Sequence, residues 1–357
     1  MTPLEAELRD RIAARGSIGV GEYMALALGH PAHGYYMTRD PLGAGGDFVT
    51  APEISQMFGE LVGAWMAQVW ADQGAPTRLA LAELGPGRGT LMRDALRALA
   101  RAPGFLDATE LWLVETSPAL RAAQARALGG FAPRWVERVE ALPPGPLFVV
   151  ANEFFDALPI RQFRRADPGW QERQVGLAGD RLAFGFGPLR IDSVLDARFP
   201  LLPDGVLVEV GAAGEAAARV LGARIAAEGG AALVVDYGAW DGTGDTLQAA
   251  RGHAAADPLD GPGTADLTAH VRFRALAEAA APARVFGPVG QGAWLGRLGI
   301  AARAARVAEG RPPEVAAVVA RQLRRLTDPA EMGTLFRVLA ALPPGAAPPP
   351  GFEADDA

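Results

Sequence analysis

Glu83-Leu84-Gly85-Pro86-Gly87-Arg88-Gly89-Thr90 sets three glycines at alternate positions behind an acid. Glycine is needed where backbone turns tightly and meets a ligand with no side chain between. The apolar residues before Glu83 read as a buried strand and those from Thr90 as a helix, so the loop is a strand-to-helix turn of the kind that holds a nucleotide. A dinucleotide fingerprint, G-x-G-x-x-G/A, wants its third small residue at position 90, which is threonine here. A pyrophosphate also wants free backbone N–H groups at a helix N-terminus. Pro86 removes one such donor, and Glu83 adds a carboxylate. That combination suits a cationic ligand.

Three further groups carry candidate chemistry. Glu115 ends the apolar run of "LWLVETSP", where an acid can accept both hydroxyls of a ribose; the alternative is a surface acid favoured by the N-terminus of the next helix. "VVANEFFDALP" brings Asn152, Glu153 and Asp156 to a strand end. Two acids so spaced can hold a cationic side chain such as a guanidinium; alternatively Asp156 caps a turn and Glu153 is solvated. "GGDFVTAPEISQMFG" supplies Asp47 and Thr50 before a long helix. It reads as a lid over the ligand, as a helix cap at Thr50 with Pro52 and Glu53 in the first turn, or as both.

Positioning these residues takes a particular order of elements. Short helices are expected over 4–14 and 21–29, a Gly/Pro-rich loop over 30–53, and a long helix over 54–70. Strands at 78–84, 109–116, 146–153 and 229–238 alternate with helices at 90–100 and 117–128, which implies a parallel sheet wound by right-handed crossovers. Residues 160–187 alternate polar and apolar around turn signals at Asp167-Pro168-Gly169 and Gly179-Asp180, an antiparallel meander. Residues 266–280 read as a helix capped by Asp266. The expected organisation is N-terminal helices and lid loop over 1–75, a main domain over 76–342 with insertions at about 160–210 and 239–266, and a disordered tail over 343–357.

Composition excludes several chemistries. The chain has 357 residues, half of them apolar, enough for a sizeable core. It contains no cysteine, hence no disulfide, zinc–thiolate site or thiol nucleophile. All 34 basic residues are arginine, so a P-loop lysine or Schiff-base lysine is impossible. That bias reads as a GC-rich genome. The net charge of −7 argues against a surface that coats nucleic acid. Apolar runs break short of the roughly 18 residues of a membrane span. The N-terminus lacks a secretory or transit pattern, so a bacterial cytoplasmic protein is expected. The four histidines form no ligand set, and no metal is expected.

The G-x-G-x-G loop behind an acid resembles motif I of the S-adenosylmethionine-dependent methyltransferases. The likeness sharpens with "GDFVTAPEISQMFGELVGAW", "ELGPGRGTLMRDALRAL", "LVETSPALRAAQ", "ANEFFDALPIRQF", "WQERQV", "VVDYG", "DTLQAARGH", "ADLTAHVRF" and "MGTLFRVLA", in this order. Over about residues 15 to 342 the chain resembles the MidA-like family, whose mitochondrial members are complex I assembly-factor protein arginine methyltransferases. The resemblance implies an α/β, Rossmann-like class I methyltransferase sheet with N-terminal helices and an inserted antiparallel, substrate-facing region. It implies S-adenosyl-L-methionine as cofactor and, as partner, a protein with an exposed arginine, such as a complex I core subunit or its bacterial counterpart. Nucleic acid and membrane insertion are not implied. By motif, Glu83, Gly85, Gly87, Gly89 and Glu115 fall at donor-binding positions, joined by Asp47 and Thr50 from the lid; Asn152, Glu153 and Asp156 fall at catalytic ones. Arg272 stands where the family pattern "HVDF" has an acid, which puts that acid's role in doubt here. Two rival functions remain: a cofactor-binding assembly factor without turnover, and a nicotinamide-dependent oxidoreductase.

Overall fold

A computed structural model describes residues 1–38 and 50–353. Asp47 lies outside the described residues. The chain divides into two compact units. One draws on residues 50–155, 215–240 and 273–353, the other on 1–38, 156–214 and 241–272.

The first unit contributes seven strands to one sheet. Its strands are β1 (Leu79–Leu84), β2 (Thr109–Val114), β3 (Arg134–Val136), β4 (Leu147–Asn152), β5 (Gly230–Ala239), β6 (Arg284–Gly290) and β7 (Phe336–Leu342). Their order is β3-β2-β1-β4-β5-β7-β6. Pairing is parallel from β3 through β5, and β7 runs antiparallel to both neighbours. Every residue of β1 and β4 is buried, as expected of central strands covered on both faces. The order turns back at β1 and β4, so their carboxyl ends flank the switch point where wound sheets bind ligands. The four strands expected from sequence all appear. β3, β6 and β7 were not signalled: β3 is short, and β6 is interrupted by Gly287-Pro288.

The long helix is shorter than expected at its start. Ala51–Ile54 forms a separate turn, and the helix runs Gln56–Asp72 with Ser55, not Thr50, accepting a capping bond from the Met57 N–H. It packs on the helix Thr90–Leu99 through two glycines. A Cβ on Gly63 would lie 2.5 Å from the Ala95 carbonyl oxygen, and one on Gly59 2.8 Å from the Asp94 Cβ. The tail expected to be disordered from Pro343 is instead anchored as far as 353: Phe352 is buried in the core, and the Trp65 indole donates to the Pro350 carbonyl at 3.0 Å.

The second unit contains the expected meander. Arg161–Ala166, Gly169–Ala178 and Arg181–Phe186 pair antiparallel, with turns at the two signalled positions. Leu207–Val210 and Ile18–Gly19 extend the sheet. The helices Pro3–Arg15 and Val20–Gly29 bury Leu4, Leu8, Tyr23 and Met24 in this unit's own core. Asp266 is not a helix cap. Asp266–Thr268 is a strand paired with Gln248–Ala250, Asp266 accepts from the Tyr36 hydroxyl at 2.8 Å, and the helix begins at Phe273. Strand pairing takes the residues that helical periodicity had claimed.

Candidate active site

The carboxyl edge of β2, β1, β4 and β5 gathers most of the candidate residues. At the end of β1 the chain turns through Gly85, Gly87 and Gly89, with φ of 60°, 53° and 82°. All three sit in the left-handed region that favours glycine, which accounts for their spacing. The Gly85 N–H is taken by the Val114 carbonyl at 3.0 Å and the Gly89 N–H by the Pro86 carbonyl at 2.8 Å. With Pro86 lacking an N–H, the loop is poor in donors for a phosphate.

Acceptors dominate instead. Glu83 is 3% exposed, and its Oε2 is buried with no partner among the described residues. Burial drives its carboxyl well above the usual carboxylate range, against a lowering contribution from the Met92 backbone N–H. Glu115, just past β2, is also buried and raised by desolvation. That rise is opposed by the Ser117 N–H at 2.8 Å and the Gln124 side-chain amide at 3.1 Å. Arg121 grips the Glu115 backbone carbonyl from the next helix, leaving the carboxylate to other partners.

Asn152 ends β4 and donates from Nδ2 to Glu153 Oε1 at 3.0 Å, while its own Oδ1 is buried without a partner among the described residues. Glu153 is a non-glycine residue at φ 51°. Its backbone N–H is fixed by the Val235 carbonyl at 2.9 Å, and its Oε1 also accepts from the Ala51 N–H at 3.2 Å. The solvated alternative for Glu153 therefore fails. Thr50 holds the N-cap position of Ala51–Ile54, but its side chain makes no capping bond; the Glu153 carboxylate takes the first N–H instead. Glu53, in the same turn, accepts from the Thr90 hydroxyl at 2.5 Å and so ties this segment to the glycine loop.

Asp156 falls in the other unit. It is 5% exposed, and its carbonyl accepts from the Ala269 N–H at 2.9 Å; burial raises the Tyr36 hydroxyl well above its ordinary range, with the Asp266 and then the Asp156 charge adding to it. Arg272 turns its guanidinium to Asp241, with Nε 3.0 Å from Oδ1, and stacks 4.5 Å from the Phe199 ring centre. It serves there as an ion-pair and stacking residue.

Two residues escaped the reading of the sequence. Asp236, at the end of β5, is fully buried, and its Oδ2 accepts from the Phe155 N–H at 3.0 Å, fixing the turn after β4. An acid ending an apolar run was its signal, the same one that exposed Glu83 and Glu115. Gln124 is 0% exposed and lies in line with Leu120 and Leu128. A lone amide in a buried helical stripe was the available signal. Among the described residues, no group of three potential ligands is placed to hold a metal, and no helix is long and apolar enough to cross a membrane.

Buried unpaired acceptors, a glycine turn poor in donors, and an acid beside it match a ligand that is cationic and hydroxyl-bearing. Comparison with known proteins points the same way. Residues 61–289 match the family described as "Putative S-adenosyl-L-methionine-dependent methyltransferase". The chain is 36% identical to the human mitochondrial protein arginine methyltransferase NDUFAF7, over 96% of this chain and 84% of that protein. It is 38% identical to the Drosophila melanogaster homologue, over 95% and 85%. A Burkholderia thailandensis structure bound to S-adenosyl-homocysteine superposes with a TM-score of 0.84 at 30% identity, covering 99% of this chain and 96% of that one. The chain belongs to this family of S-adenosyl-L-methionine-dependent methyltransferases, a MidA-like member of it, with a class I fold and S-adenosyl-L-methionine as cofactor.

Proposed function

We propose that this methyltransferase modifies the guanidinium of an arginine in a protein, with the bacterial counterpart of a complex I core subunit as the candidate substrate. The curated relatives are named as protein arginine methyltransferases, and the likeness spans nearly the whole chain. The observation that carries the reading is Glu153: a charged residue held at φ 51°, its carboxylate oriented by the Ala51 N–H and the Asn152 amide. Such strain persists only where surrounding structure over-determines it, and it concentrates at functional sites.

The residues divide the work as follows. Glu83 and Asn152 offer acceptors to the cationic methionine end of the donor, the glycines let it approach the backbone, and Glu115 takes the ribose hydroxyls. When bound, the donor supplies a methyl made electrophilic by the sulfonium. Glu153 holds the guanidinium, whose planar fork of five donors suits a carboxylate. Fixing one terminal nitrogen in line with the methyl is the main contribution required, because alignment removes most of the entropic barrier. As the N–C bond forms and the methyl leaves sulfur, that nitrogen gives up one proton, which the Glu153 carboxylate would accept; lysine has no matching fork for this carboxylate.

An arginine peptide from that subunit should accept labelled methyl, and its Arg→Lys version should not. Glu153→Gln should keep donor affinity but lose roughly ten- to a hundredfold in transfer, the scale of a charged hydrogen bond. Transfer within about twofold of wild type would return Glu153 to a structural role. Equal labelling of both peptides would overturn the arginine assignment. Donor binding without turnover on any protein would favour a non-catalytic assembly factor.

A further inference from the structure

Gln124 uses every polar atom it has. Its Nε2 donates to the Gly87 carbonyl at 2.7 Å and to Glu115 Oε2 at 3.1 Å. Its Oε1 accepts from the Trp135 indole at 2.8 Å, on β3. The indole N–H can only donate, so it fixes which way the amide faces. Glu115 Oε1 is already taken by the Ser117 N–H, so Gln124 decides where the second oxygen sits. The residue is wholly buried in the helix Pro118–Ala127, on one stripe with the buried Leu120 and Leu128. A buried amide kept in an apolar stripe needs all its bonds made, and here all are made.

We infer that Gln124 is a positioning residue for donor binding: it locks the Glu115 carboxylate to the second glycine of the loop, and the edge-strand Trp135 sets its orientation. The inference rests on Glu115 being the ribose acid. Through this amide the glycine turn, the tip of β2, the following helix and β3 hold one geometry, so donor recognition does not depend on the turn alone. Loss of the amide would free the carboxylate to rotate and would raise its proton affinity further, because the Gln124 bond opposes the effect of burial.

The test is calorimetric titration of full-length wild type, Gln124→Met, Trp135→Phe and Glu115→Gln. The probes are S-adenosylhomocysteine and its 2′,3′-dideoxyadenosyl analogue, each across pH 5 to 9. Gln124→Met should bind S-adenosylhomocysteine roughly tenfold more weakly, the loss of one hydrogen bond to a charged group. It should discriminate less against the dideoxy analogue, and its affinity should fall off at a higher pH on the acid side. The KM for the donor should rise more than kcat falls. Trp135→Phe, which removes only the indole donor, should move all of these in the same direction by less, and it decides the matter if Gln124→Met does not fold. A merely structural Gln124 would lower thermal stability yet leave discrimination and the pH profile at wild-type values; that result overturns the inference. If Glu115→Gln weakens binding while the Gln124 and Trp135 variants do not, Gln124 alone loses its role. If Glu115→Gln binds as wild type, the ribose assignment and the inference fall together.

Discussion

Glu83 is the acid whose burial costs stability most plainly. Its carboxylate is buried, and one oxygen has no partner among the described residues. Its folded-state proton affinity is raised above that of the unfolded chain. Between those two values the folded protein binds more protons than the unfolded one, so stability falls as pH rises from the ordinary carboxylate range upward. Glu115 acts in the same direction. Glu83→Gln should therefore raise the melting temperature of the ligand-free protein at pH 8 and flatten its decline with pH. The same change should weaken S-adenosylhomocysteine roughly ten- to a hundredfold, because a charged acceptor is lost. Thermal melts from pH 5 to 9 with parallel calorimetry check both halves. A variant that is less stable at pH 8 and binds normally would show Glu83 to be a structural acid.

At the scale of elements, the glycine loop and the two helices beside it form the critical packing. Gly87→Val places a β-branched residue at φ 53°, a conformation such side chains avoid, and should abolish donor binding. Unchanged calorimetric affinity in that variant would remove the loop from the site. Gly63→Ala forces apart the helices Gln56–Asp72 and Thr90–Leu99, since the added Cβ would lie 2.5 Å from a backbone oxygen. Overpacking of this kind costs about 1–3 kcal/mol, readable by urea unfolding. It should also weaken S-adenosylhomocysteine, because the second helix starts at the loop. A neutral effect on both would mean the contact is soft.

These elements also show what a sequence reveals and what it hides. β1, β2, β4 and β5 are covered on both faces or nearly so, and they announce themselves as unbroken apolar runs. An acid ending such a run falls at the carboxyl edge of the sheet, and that is the signal by which Glu83 and Glu115 stand out. β6 is broken by Gly287-Pro288, and β7, "FRVLAAL", suits a helix as well as a strand, so pairing rather than composition defines them. Asp266 looked like a cap because short-range signals could not show its ladder with residues 248–250. Gln124 stayed hidden because its importance lies in three partners distant in the chain, and Thr50 misled because Glu153, about a hundred residues away, supplies the cap.

For the molecule as a whole, the donor is a stabilising ligand as well as a reactant. Saturation at a hundred times its dissociation constant should add about 2.7 kcal/mol to folding stability, visible as a rise in melting temperature with S-adenosylhomocysteine and none with NADH. Stabilisation by NADH alone would contradict the cofactor. The central claim is that this cradle of acceptors serves methyl transfer to protein arginine. It is tested most directly by incubating the protein and labelled S-adenosyl-L-methionine with lysate from a strain lacking it, then hydrolysing the labelled material to amino acids. Label is expected in methylated arginine from a single protein band, absent with the Gly87→Val protein. Label confined to lysine, nucleic acid or small molecules would contradict it.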